Sequence, residues 1–212
     1  MFDPLAFTLF VAAALAIALT PGPGILYVAA RSLAGGRADG IASSVGTGIG
    51  GLVHIVAGAC GVSAILLASA EVFTLFKLLG AAYLVFLGVQ TIRSAGQPLA
   101  MAAPTGTSAG GAFRQGILVE ALNPKTAAFF LAFLPQFVDP ARGEVALQFV
   151  LLGVVSVVLN TAVDIVVAFG AAAIARQIAG RPAIVRRLRY GSGATMCGLG
   201  ALLAFARRPA AG

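Results

Sequence analysis

The sequence predicts an all-α polytopic membrane protein: six transmembrane helices, arranged as two inverted three-helix repeats, with helices one and four broken. Three observations predict it. Of 212 residues, 59% are apolar and only 10% charged, with a mean hydropathy of +1.00, well outside the range of a soluble domain. Apolar runs of about 17 to 25 residues, long enough for a bilayer core roughly 30 Å thick, recur along the whole chain. Two of these runs, in opposite halves, are interrupted by proline, at Thr20-Pro21-Gly22-Pro23 and at Asn123-Pro124-Lys125.

The first segment covers about residues 5–30 and is followed by a polar loop with Arg31, Arg37 and Asp39. It has no Lys or Arg before the apolar run and carries Asp3 instead, unlike a cleaved signal peptide. It is expected to be retained. Segment two, about 41–68, is rich in glycine, including Gly46, Gly48, Gly50 and Gly51, which suits close helix packing. Segment three spans about 72–90. A Pro, Gly, Ser and Thr-rich linker, 94–112, then divides repeat one (1–93) from repeat two (113–212) of a single transporter domain. Segment four covers 113–134, segment five about 145–175, and a basic connection with Arg181, Arg186, Arg187 and Arg189 leads to a short segment six at about 191–206.

Counting bases orients the spans. Loops one-two, three-four and five-six hold nine Lys or Arg, the opposite side four. The positive-inside rule puts the nine in the cytoplasm and both termini in the periplasm. A net charge of +7 in a soluble protein would suggest nucleic acid, but here the bases orient helices and no nucleic-acid partner is expected. Cys60 and Cys197 lie in apolar runs, where packing is the simpler role.

Each proline removes a backbone donor and clashes with the carbonyl four residues back, so Ile17, Leu19 and Glu120 lose their helical partners. Thr20 and Asn123 are capping residues, and Pro21 and Pro124 suit a first helical position. Gly22 lies nine residues before Arg31, and Asn123 nine after Arg114. At about 1.5 Å per residue both breaks sit roughly 13 Å from the cytoplasmic edge, near the midplane. Two positive helix ends then converge there beside Lys125, which suits a carboxylate. The freed carbonyls are open to an ammonium group or to neighbouring helices. The plainer reading of each proline is an ordinary kink.

Other ionisable groups lie inside the apolar runs, where they are costly. Asp164 is a coupling candidate, or a structural partner of Lys125 or Asn160. Glu120, one turn before Pro124, can pair with Lys125 or Arg114. His54, the one histidine, can relay protons or simply hold a hydrogen bond between helices.

At these residues the chain resembles the LysE (lysine exporter) family of amino-acid efflux transporters, which includes the threonine and homoserine exporters. The likeness covers nearly the whole length. It includes Thr20 to Pro23, Gly46 and Gly50, Gly80-Ala81-Ala82-Tyr83-Leu84 with Leu87-Gly88, Asn123-Pro124-Lys125, and Phe133-Leu134-Pro135-Gln136-Phe137. It implies a bacterial inner-membrane exporter of amino acids or close derivatives, driven by protons, in a family often dimeric, so a homodimer is one expected assembly. The chain departs from the pattern twice. Family members commonly carry aspartate directly after the second-helix glycine, where this chain has Gly51, and many have asparagine where it has Glu120. In effect a carboxylate has moved from helix two to helix four.

The expected function is therefore secondary export of an amino acid by alternating access. Thr20, Pro21, Gly22, Pro23, Glu120, Asn123, Pro124 and Lys125 are the substrate-site candidates, and Asp164, His54 and Glu120 the coupling candidates. No cofactor, metal or catalytic residue is expected. A metal or cation exporter is the nearest alternative, but one His and two separated Cys offer little to soft metals. Gly191-Ser192-Gly193 faintly resembles the nucleophile turn of an intramembrane enzyme and is more simply a packing-compatible helix start. A membrane scaffold without transport is the third class.

Overall fold

The computed structural model describes residues 2–68, 70–97, 108–178 and 181–205, and every regular element among them is helical. Helix α1 is Pro4–Leu19, α2 Pro23–Ala68 and α3 Ala70–Arg93; α4 is Ala109–Ala121, α5 Pro124–Ala128, α6 Val145–Ile178 and α7 Pro182–Phe205. The chain of α5 continues through a π turn, Phe129–Phe133, and a 3₁₀ turn, Leu134–Phe137.

Solvation is inverted relative to a soluble protein. Leu122, Val166 and Phe205 stand 78%, 71% and 87% exposed, whereas Glu120, Lys125 and Asp164 are buried at 3%, 6% and 1%. An apolar exterior, with charged groups withdrawn among the side chains of the interior, is what a lipid solvent selects. Among the described residues, three stretches are long and apolar enough to cross a bilayer, Pro23–Gly61, Lys77–Gly96 and Val145–Ala171, and a fourth is the pair Ala109–Ala121 and Pro124–Phe137, bent by 42°.

The remaining helices differ from that standard for visible reasons. Helix α1 has only 16 residues because Thr20 to Gly22 interrupt it. The 39-residue stretch Pro23–Gly61 would be about 58 Å long if straight, nearly twice the bilayer core. It is not straight. Gly36, at φ 78° and ψ −171°, turns the chain back on itself. Eight residues of helix rise about 12 Å, yet Gly40 lies against Ser32 and Arg31 pairs with Asp39 at 3.3 Å. So α2 is a helical hairpin, with arms at 23–35 and 37–68.

Two predicted boundaries move. The polar loop expected at Arg31 to Asp39 is this single-residue turn, with Arg31 and Asp39 buried as an ion pair. Segment six begins at Pro182 rather than near residue 191, so Arg186, Arg187 and Arg189 ride on the first turns of α7. Long basic side chains can extend to the interface from a helix end, which the count of charges misread as loop. Of the predicted linker, residues 98–107 lie outside the described residues, as do Arg207 and Arg208.

Helix α2 packs chiefly on α4 and α6, and α3 on α7. Gly46, Gly50 and Gly116 make the α2–α4 contact close, since a Cβ at any of them would strike backbone of the facing helix. The apolar core lies around Phe10, Phe129, Phe130, Phe133, Phe149 and Leu152, where α1, the π turn and α6 meet.

Candidate functional site

The first break follows from Thr20. Its backbone is extended (φ −73°, ψ 116°), its N–H closes a last turn on the Ile17 carbonyl at 3.1 Å, and its hydroxyl donates to Ala16 O at 2.7 Å. The helix resumes at Pro23, two residues later than the capping grammar of Thr20 and Pro21 predicts, because Thr20 bonds backward and caps nothing ahead. The second break follows the predicted grammar. Asn123 Oδ1 accepts from the Lys125 N–H at 3.0 Å, with Pro124 at the first helical position.

The two breaks face one another. Lys125 reaches across and its Nζ donates to Ile17 O and to Thr20 O, each at 3.0 Å. Its stem lies where Gly22 has no side chain: a Cβ there would be 3.2 Å from Lys125 Cδ, Cε and Nζ. Gly24 faces Glu120 in the same way, its Cβ position only 2.6 Å from Glu120 Oε2. Two of the carbonyls released by proline are met by neighbours. Ile17 O takes the lysine, and Glu120 O lies 2.8 Å from His54 Nε2. A carbonyl can only accept, so the proton of that bond is on Nε2.

Glu120 departs from expectation. Among the described residues no ion pair joins it to Lys125 or Arg114. Its carboxylate accepts from Asn123 Nδ2 at 2.9 Å and from Thr126 Oγ1 at 2.6 Å. Asp164 likewise does not pair with Lys125; Thr47 Oγ1 donates to it at 2.8 Å and Asn160 Nδ2 lies at 3.4 Å. The reason is reach. The ammonium is committed to α1, and each carboxylate finds closer amide and hydroxyl donors on α2, α4, α5 or α6.

Between these groups lies a small cavity of about 20 Å³, lined in part by Ile17, Thr47, Gly51, Glu120, Thr126 and Asn160. That is room for about one water. Gly51 and Glu120, the two departures from the resembled pattern, line the same cavity. Of the predicted residues, Thr20, Glu120, Asn123 and Lys125 form one bonded cluster, with Gly22 against the Lys125 stem and Pro21, Pro23 and Pro124 shaping its backbone. His54 joins through the Glu120 carbonyl, and Asp164 sits behind the cavity, linked to it by Thr47 and Asn160.

Sequence reasoning missed Thr47 and Thr126. Hydroxyls on apolar helices usually bond their own turn, as Thr20 does, so they carry almost no signal in sequence.

Comparison with known proteins places this geometry. A family model described as LysE type translocator matches residues 15–207. An uncharacterized membrane protein of Vibrio cholerae is 35% identical over 198 residues, covering 92% of this chain and 94% of that protein. A homoserine/homoserine lactone efflux protein of Salmonella typhimurium is 35% identical over 196 residues, covering 90% and 92%. A leucine efflux protein of Salmonella typhimurium is 28% identical over 147 residues, 68% of each chain. No solved structure matches. With the family model spanning nearly its full length, the chain belongs to the LysE type translocator family.

Proposed function

We propose that the protein exports a neutral amino acid, or a close derivative that keeps its carboxylate, across the bacterial inner membrane. Transport is secondary-active, coupled to protons, and proceeds by alternating access across six spans in two inverted repeats, with both termini periplasmic. The relatives named for homoserine and leucine efflux support the substrate class.

One observation carries the mechanism: the Lys125 ammonium bridges the two breaks through the Ile17 and Thr20 carbonyls. A substrate carboxylate is a better partner for an ammonium than two neutral carbonyls. As it takes Lys125, it releases those carbonyls to receive the substrate's own ammonium, alongside the Glu120 carboxylate. The bridge between breaks is exchanged for a bridge through substrate, and the breaks are free to part. Glu120, His54 and Asp164 are the groups able to take the coupled proton. A central cavity of about 20 Å³ is too small for an amino acid, so binding has to widen it.

The experiment is flux of labelled leucine and homoserine from proteoliposomes with an acidic exterior, comparing the native protein with Lys125→Met. Methionine keeps an apolar stem against Gly22 and removes the ammonium. We expect flux to fall at least tenfold while the melting temperature changes little. Flux unchanged in the variant, or no flux of any amino acid by folded native protein, overturns the proposal.

A further inference from the structure

A second cavity, of about 180 Å³, lies at the end of the molecule where α1 begins and the α5 chain ends; Phe2, Asp3, Phe7, Gln136, Phe137 and Asp139 are among its walls. Three elements carry residues of both cavities in the same order. Along α1, Ala6 and Phe7 face the second cavity and Ala14 and Ile17 the central one, with Phe10 between. Along the α5 chain, Gln136 and Phe137 face the second and Thr126 and Phe129 the central one, with Phe133 between. Along α6, Leu152 faces the second, and Ser156 and Asn160 the central one.

The partition between the cavities is a closed circuit of four rings. Phe10 lies 6.2 Å from Phe129 and 5.4 Å from Phe137, centre to centre, while Phe133 lies 5.5 Å from Phe129 and 5.3 Å from Phe137. Phe129 walls the central cavity and Phe137 the second, with Phe10 and Phe133 bridging the two rings. Two members of this plug belong to the π turn Phe129–Phe133. A π turn holds one residue more than an α turn, and such turns cluster at functional sites. Restoring α geometry would rotate Phe133 by about 100° relative to Phe129.

Beyond the plug, Gln136 is out of place. Both its side-chain Oε1 and Nε2 are buried and have no protein partner among the described residues. Unmet buried polar atoms are costly. A primary amide offers an acceptor and a donor side by side, which complements the ammonium and carboxylate of a zwitterion. The carboxylates of Asp3 and Asp139 and the Arg142 guanidinium, paired with Asp139 at 2.9 Å, supply both signs of charge on the same walls.

We propose that this second cavity is a release site for a zwitterionic amino acid, with Gln136 as its recognition residue, and that the Phe10, Phe129, Phe133 and Phe137 plug is the gate between it and the central site. This rests on the export reading above. Two cysteine reporters in an otherwise cysteine-free full-length protein test it: Ser156→Cys in the central cavity and Phe7→Cys in the second, each labelled by a membrane-impermeant maleimide. Phe133→Ala is expected to speed labelling of the Ser156 reporter at least tenfold from the side that reaches the Phe7 reporter. Should Phe133→Ala fail to reach the membrane, Phe137→Ala is read in the same way. Leucine or homoserine added on that side is expected to slow labelling at the Phe7 reporter at least threefold, and Gln136→Leu to abolish that protection.

Unchanged labelling at the Ser156 reporter overturns the gate. Absent protection, or protection that survives Gln136→Leu, overturns the release site. The gate readout needs no transport, so a protein that moves no amino acid yet still opens in Phe133→Ala loses the export reading and keeps the gate.

Discussion

Gly22 and Gly24 stand in one short turn, yet a methyl group at each meets a different neighbour. At Gly22 it would press on the flexible end of Lys125 at 3.2 Å, which can yield by a few tenths of an ångström. At Gly24 it would sit 2.6 Å from Glu120 Oε2, an oxygen already held by Asn123. Gly24→Ala therefore has to displace the carboxylate and break its bonds, at a cost of about 1–3 kcal/mol for overpacking. Gly22→Ala is the milder change. Thermal melting in detergent together with proteoliposome flux checks this order; equal effects of the two substitutions would refute it. The positions of both breaks were legible in sequence because proline acts through its own covalent geometry on a carbonyl four residues away. What Lys125, Glu120 and Asp164 bond to was not legible. Lys125 and Ile17 are 108 positions apart, and their meeting is decided by packing that local pattern does not encode.

Gly36 matters at the scale of the element. Its φ of 78° with ψ of −171° falls in a region that side chains other than glycine's scarcely enter, and nothing lies within 4 Å of where a Cβ would be. The strain in Gly36→Ala is then purely one of backbone, about 1–3 kcal/mol, and falls on the turn that makes α2 a hairpin. Asparagine, which tolerates the left-handed helical region, is not expected to rescue it, because that region lies near ψ 47°. Melting of Gly36→Ala and Gly36→Asn in detergent measures this; stability equal to native in either variant contradicts it. Sequence reading took the polar residues Arg31 to Asp39 as a loop of ordinary length. It could not see that the two charges at its ends neutralise each other, which lets helix run almost to the glycine on both sides. The start of α7 was misplaced for a related reason. Charge marks where a chain meets water, and a helix can carry arginine there as well as a loop can.

At the scale of the molecule, burial of the Arg31–Asp39 pair bears on topology. Arg31 was one of nine bases counted on the proposed cytoplasmic side against four opposite. With it neutralised the bias remains two to one, so both termini are still expected in the periplasm. A protease-cleavable tag after residue 212, digested in intact spheroplasts, is the expected result; a tag cut only after lysis reverses the orientation. The inside-out distribution of polar and apolar side chains was fully legible from composition. The size of the central cavity, about 20 Å³, was not, since it depends on how five helices and a π turn interdigitate.

The bond from Lys125 to two carbonyls has an electrical side. Carbonyl dipoles solvate the lysine's charge without cancelling it. A zwitterionic amino acid brings equal and opposite charges, and its arrival adds nothing to the sum. Loading is then invisible to the voltage across the bilayer, which acts at about 2.3 kcal/mol per elementary charge for every 100 mV. Under the proposed proton coupling, what the voltage pulls on over a full cycle is the accompanying proton alone, so current recorded during turnover is expected to count protons, not amino acids.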